Sequence, residues 1–193
     1  MGILNYFNLL KKEKIARRYF LMNSFDGTLT MLGVIIALWF ADITNPKLVI
    51  TSCLGAGIAI LVSGIYSAYA TEKAERIREL KELEKHLMTD LDETKIGERF
   101  LKLSILLALV NGFSPLIVSI FIITPFIFSY FNFIPIFYSF VLSIIFVLFV
   151  LFSLGMMVGK IAEENLLKNG FKMLSAGILV SIIILVLEIV KIV

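Results

Sequence analysis

A chain of 193 residues that is 59% hydrophobic, with a mean hydropathy of +0.96, carries more apolar surface than one soluble core can hide. Only 17% of its residues are charged, against the usual quarter, and its long apolar runs belong in a bilayer. The net charge of +3 is too small to point to nucleic acid, and one cysteine, Cys53, excludes an intrachain disulfide.

Residues 1–19 mix Lys, Arg and Glu with Leu and Phe. This is not a cleavable signal pattern. It predicts an amphipathic helix at the membrane interface, leading into the first span. A span needs roughly 20 apolar residues at 1.5 Å rise each. Five segments qualify: Phe20–Ala41, Leu48–Ala70, Leu101–Phe128, Phe133–Val158 and Phe171–Ile189. The expected fold is an all-α integral membrane protein. Its divisions are 1–19, the N-terminal helix; 20–70, spans one and two; 71–100, a charged helical segment; and 101–193, spans three to five.

The first span contains "FLMNSFDGTLTMLG", with Asp26 well inside the apolar run. A lone charge in hydrocarbon costs at least ~2.5–3.5 kcal/mol, so such a group has a partner or a role. Arg17 and Arg18, just before the span, are candidate partners. The second span has small residues at every fourth position, Gly55, Ala59, Ser63 and Ser67, with Gly57, Gly64 and Ala68 alongside. Such a stripe lets another helix approach closely, inside the monomer or across a dimer.

The stretch "TEKAERIRELKELEKHLMTDLDETKIGERF" has no Pro, and no Gly before Gly97, so it should continue the second span as a helix. Ile77, Leu80, Leu83, Leu87 and Leu91 share one face. Glu72, Glu75, Glu79, Glu82, His86, Asp90 and Glu93 share another, within about 80° of arc. Charge runs are commonly solvated faces. The like-charge pairs Glu75/Glu79 and Glu79/Glu82 are mildly destabilising unless a cation sits between them, and carboxylates with an imidazole suit Mn²⁺, Fe²⁺ or Zn²⁺.

Pro115 and Pro125 interrupt the third span, and such kinks fit a transport path and an inert bundle equally well. Met156 and Met157 end the fourth span, followed by Glu163 and Glu164; a Met pair is more often packing than ligand. Of the Lys and Arg residues, five lie in the first eighteen positions, eight between Lys73 and Lys102, and three between Lys160 and Lys172. The positive-inside rule therefore predicts a cytoplasmic N-terminus and charged segment, with the C-terminus outside, in the cell membrane or a eukaryotic organelle membrane. No nucleophile–base pair and no phosphate-binding Gly loop are present, so an enzyme is not expected.

Three stretches resemble the vacuolar iron transporter family. "DGTLTMLG" supplies Asp26, Gly27, Thr30, Leu32 and Gly33 of that family's first-span motif, with Phe25 in place of an Asn. "SAYATEKAER" supplies Tyr69, Lys73 and Arg76, and "GKIAEENLLKNGFKMLSAG" resembles the loop before the family's fifth span. Pro115 matches a third-span proline. The Met and Glu that the family often carries in its second span are absent here, and the cytoplasmic segment is shorter.

The resemblance implies a homodimer that exports Fe²⁺ or Mn²⁺ from the cytosol, generally by proton exchange, with no tightly bound cofactor. Asp26 would line the path at the dimer interface. Glu72, Glu75, Glu79, Glu82 and His86 would gather metal at the mouth, with Asp90, Glu93, Met156, Met157 and Glu163 as lesser contributors. Gly27 and Gly33 would let another backbone approach Asp26 closely. The alternative is a non-transporting membrane anchor whose acidic helix senses metal or docks a partner.

Overall fold

A computed structural model describes residues 3–87 and 95–190, with side chains from Lys14 to His86 and from Lys102 to Val190. It consists of five helices: α1 (Ile3–Phe40), α2 (Pro46–Leu87), α3 (Lys95–Tyr130), α4 (Ile136–Ala162) and α5 (Leu166–Ile189). No strand occurs among the described residues. All five helices are long and apolar enough to cross a membrane, which marks the chain as a membrane protein.

No break separates the N-terminal helix from the first span, because neither Gly nor Pro interrupts α1 before Gly27. Likewise α2 runs on through its charged extension as one rod of 42 residues. The turns supply the stops. Asn45 caps α2, accepting from the Lys47 amide at 3.0 Å, and Pro46 occupies the first helical position. Between α3 and α4, Asn132 takes a left-handed φ of 60° and Pro135 precedes the first turn of α4. Asn165 caps α5 through bonds from the Leu167 and Lys168 amides, so α5 begins five residues before the expected Phe171. The apolar pattern alone passed over that polar first turn.

Helix α3 is the centre of the bundle. It packs against α1, α2 and α4; α1 touches all four other helices, and α5 lies against α4 and α1. Both prolines sit inside α3 without ending it. Ser139 and Ser143 of α4 donate to the Pro125 and Ile122 carbonyls at 3.0 and 2.9 Å, so the neighbouring helix supplies polar partners beside Pro125.

Glycines set how closely the helices meet. A Cβ on Gly155 would lie 2.7 Å from Gly170 Cα, and one on Gly112 would lie 2.7 Å from the Leu61 carbonyl. The stripe on α2 divides in two. Gly57, Gly64 and Ala68 are buried, and the two glycines pack against α3. Gly55, Ala59, Ser63 and Ser67 are exposed on the other face, and Gly55 has no side-chain neighbour within 4 Å.

The interior is richer in polar side chains at the end nearer the N-terminus. Met31, Leu32, Ile35, Cys53, Ile122, Phe126, Phe140, Val147 and Leu151 form the apolar core in the half away from the N-terminus. Trp39 stacks on Phe140 there, half-buried. In the other half the buried set includes Ser24, Thr28, Glu72, Arg76, Ser104, Asn111 and Ser114. Leu21, Leu80, Leu103 and Leu107 are buried among these polar groups, so apolar burial contributes in both halves.

Candidate functional site

The polar half is organised around one stripe of α1. Tyr19, Asn23, Asp26 and Thr30 are spaced i, i+4, i+7, i+11 and therefore share one side of the helix. Two of the four are tied to neighbouring helices. The Tyr19 hydroxyl donates to Glu72 Oε1 of α2 at 2.8 Å. The Asn23 amide donates to Asn111 Oδ1 of α3 and to the Tyr19 carbonyl at 3.0 Å. Asn111 in turn donates to the Gly64 carbonyl of α2 at 2.8 Å.

Asp26 differs. It is exposed on the surface of the single chain, and its carboxylate has no hydrogen-bond or ion-pair partner among the described residues. Neither Arg17 nor Arg18 pairs with it; Arg18 instead stacks over the Tyr19 ring at 5.8 Å. Thr30 donates to the Asp26 backbone carbonyl at 2.8 Å and leaves the carboxylate untouched. At 1.5 Å per residue, Asp26 stands about 12 Å beyond Arg18 and about 21 Å short of Phe40, well within the span.

Gly27 explains this outward pose. A Cβ on Gly27 would sit 2.6 Å from Pro115 Cβ, so Gly27 faces α3 at a tight crossing. The next residue around the helix, Asp26, is turned by about 100° from that contact. Gly33 makes no comparable approach, its nearest neighbour being Ile184 Cδ1 at 3.8 Å. Of the two expected close approaches beside Asp26, only that at Gly27 is present.

The acidic stripe on the α2 extension is not uniformly solvated. Glu72 is buried, with Oε1 accepting from Tyr19 and Oε2 from Arg76 at 3.1 Å. Arg76, itself 5% exposed, also pairs with Glu79. Arg78 pairs with Glu82 at 3.3 Å in an exposed bridge. Arginines thus sit among the like-charged glutamates and offset their repulsion. Glu75 and His86 are exposed, and His86 Nδ1 lies 2.7 Å from the Glu82 carbonyl. Asp90 and Glu93 lie outside the described residues. On the expected apolar face, Leu80 is buried while Ile77 and Leu83 are exposed.

Met156 is half-buried and Met157 exposed at the end of α4; Glu163 caps that helix with a left-handed φ of 56° and is exposed. The neighbouring Glu164 accepts from buried Asn169 at 3.0 Å. No three His, Cys, Asp or Glu side chains among the described residues converge to hold a metal ion within one chain. Sequence reasoning passed over Tyr19, Asn23 and Asn111. Two polar amides inside apolar spans are costly when unpaired and would have marked the inter-helix chain.

No known family profile matches the chain. An uncharacterized protein of Methanocaldococcus jannaschii, MJ0645, is 30% identical to it over 174 residues, or 89% of this chain and 87% of that protein. The chain belongs to the family of that protein. The match takes in most of the five-helix length, so members share more than a single span or the charged extension.

Proposed function

We propose that the protein is a homodimeric transporter that carries a divalent cation, Fe²⁺ or Mn²⁺, out of the cytosol, with protons as counter-ions. The observation that carries this reading is Asp26: a carboxylate inside a span, exposed and without a partner in its own chain. A bilayer penalises such a group by at least ~2.5–3.5 kcal/mol. A second copy, an aqueous cleft between copies, or a bound cation relieves that cost. The exposed small stripe Gly55, Ala59, Ser63 and Ser67 supports close contact with the second copy. A two-fold axis relating two copies would pair their Asp26 side chains at one path.

The charge distribution supports an inside location for the α2 extension. There Glu75 and His86 are exposed to meet a cation, Glu79 and Glu82 are paired with arginines of the same helix, and buried Glu72 serves the Tyr19–Arg76 network. The resemblance of "DGTLTMLG" to the vacuolar iron transporters supports both the role of Asp26 and the choice of metals. Protons enter because a carboxylate in an apolar setting readily exchanges a cation for a proton.

Uptake of Mn²⁺ and Fe²⁺ into proteoliposomes, with internal pH followed at the same time, tests the proposal. Flux that Asp26→Asn abolishes is the expected result, and equal flux in that variant overturns it. A second reading has one observation in its favour: Glu79 and Glu82 pair with arginines of their own helix. In that reading the extension senses metal or docks a partner and the spans are an anchor. Metal binding without flux in correctly oriented protein would select it.

A further inference from the structure

We infer that Asn23 supplies a second, neutral oxygen ligand beside Asp26 in the intramembrane site. The inference rests on the proposal that a cation visits Asp26. It begins from the direction of the amide chain. Gly64 offers a backbone carbonyl, and Asn111 must point its NH₂ at it. Asn111 Oδ1 therefore faces the other way and accepts from the Asn23 NH₂. That NH₂ also donates to the Tyr19 carbonyl, which as an acceptor fixes the amide in one of its two orientations.

Both donors of Asn23 are thereby spent. Its Oδ1 has no partner among the described residues, and it terminates a chain of aligned amide dipoles that polarise one another. Asn23 is half-buried and stands three residues before Asp26 on the same stripe of α1. Side chains at i and i+3 have Cβ atoms about 5–6 Å apart, so one ion can bridge an amide oxygen and a carboxylate oxygen. Side-chain amide oxygens are ordinary ligands of hard cations, and the exposed Met22 thioether stands four residues before Asp26, within the same reach.

Equilibrium binding of Mn²⁺ and of Cd²⁺ to the full-length protein in nanodiscs tests this, counting only the binding that Asp26→Asn removes. Asn23→Leu is expected to weaken Mn²⁺ binding by about tenfold or more. Asn23→Met, which exchanges the oxygen for a thioether, is expected to raise the Cd²⁺-to-Mn²⁺ affinity ratio about tenfold above that of Asn23→Leu. A purely structural Asn23 would not yield that gain. Wild-type Mn²⁺ affinity in folded Asn23→Leu, or equal ratios in the two variants, overturns the inference and leaves the transport proposal standing. If Asn23→Leu fails to fold, the Met variant decides alone, and a wild-type ratio there is the refuting outcome. Absence of any Asp26-dependent Mn²⁺ binding in the wild type overturns both.

Discussion

Gly27 of α1 meets Pro115 of α3 so closely that a Cβ on Gly27 would lie 2.6 Å from Pro115 Cβ and 2.9 Å from Pro115 Cα. The proline ring is rigid and its Cα is backbone, so neither can move aside cheaply. Gly27→Ala is therefore expected to destabilise the bundle by about 1–3 kcal/mol through overpacking. Gly33→Ala, whose nearest neighbour is a flexible Ile184 methyl at 3.8 Å, should change stability by no more than about 0.5 kcal/mol. Thermal unfolding of the two variants in the same detergent compares them directly.

The two Arg–Glu clusters of α2 should respond very differently to mutation. Arg76 is buried between Glu72 and Glu79, so Arg76→Ala strands a buried Glu72 carboxylate and should cost about 3 kcal/mol or more. Arg78→Ala breaks a bridge whose side chains are 73% and 61% exposed, and should cost under about 1 kcal/mol. Tyr19→Phe removes a hydroxyl bond to a charged acceptor and should fall between them, at about 1.5–3 kcal/mol. Denaturant titration with matched slopes separates the three.

The outward stripe of α2 predicts a split between folding and assembly. Ala59→Leu and Ser63→Leu add bulk on an exposed face, so the monomer should unfold as the wild type does. The same changes should abolish the dimer by preventing close helix approach. Mass measurement of the detergent-solubilised protein reads this. A dimer that survives both substitutions places the interface elsewhere.

Collection and passage should fail in different kinetic terms. Neutralising exposed Glu75 together with Glu82 should raise the half-saturating metal concentration, and more so at low salt, while leaving the maximal rate near wild type. Asp26→Asn should instead remove the maximal rate. Initial uptake rates over a metal series at two ionic strengths distinguish the effects. Loss of maximal rate in the double Glu variant would move the extension into the path itself.

Particular residues show where sequence reasoning reached and where it stopped. The five spans were legible because apolar length is a local property, and the α2 extension because nothing in it breaks a helix. Asp26 stood out because a charge in a span is costly wherever the span faces. Glu72 was read as one member of an acidic stripe, and its burial against another helix was not legible there. Its burial depends on Tyr19, 53 residues earlier, and no helical wheel of α2 contains that residue. The two sets of small residues on α2 were also indistinguishable in sequence, since which set meets α3 depends on how the helix is rotated.

The order of residues by itself determined that this is a membrane bundle of five long helices, with its charges concentrated in a few segments and one acid inside a span. Apolar length, helix propensity and charge placement are summed along the chain, so they need no neighbour to be read. Only the tertiary structure decided that Gly27 turns inward and Asp26 outward, that Glu72 is locked to Tyr19 and Arg76, and that Asn23 ends an amide chain from Gly64. These are matters of helix rotation and crossing, fixed by contacts between residues far apart in sequence.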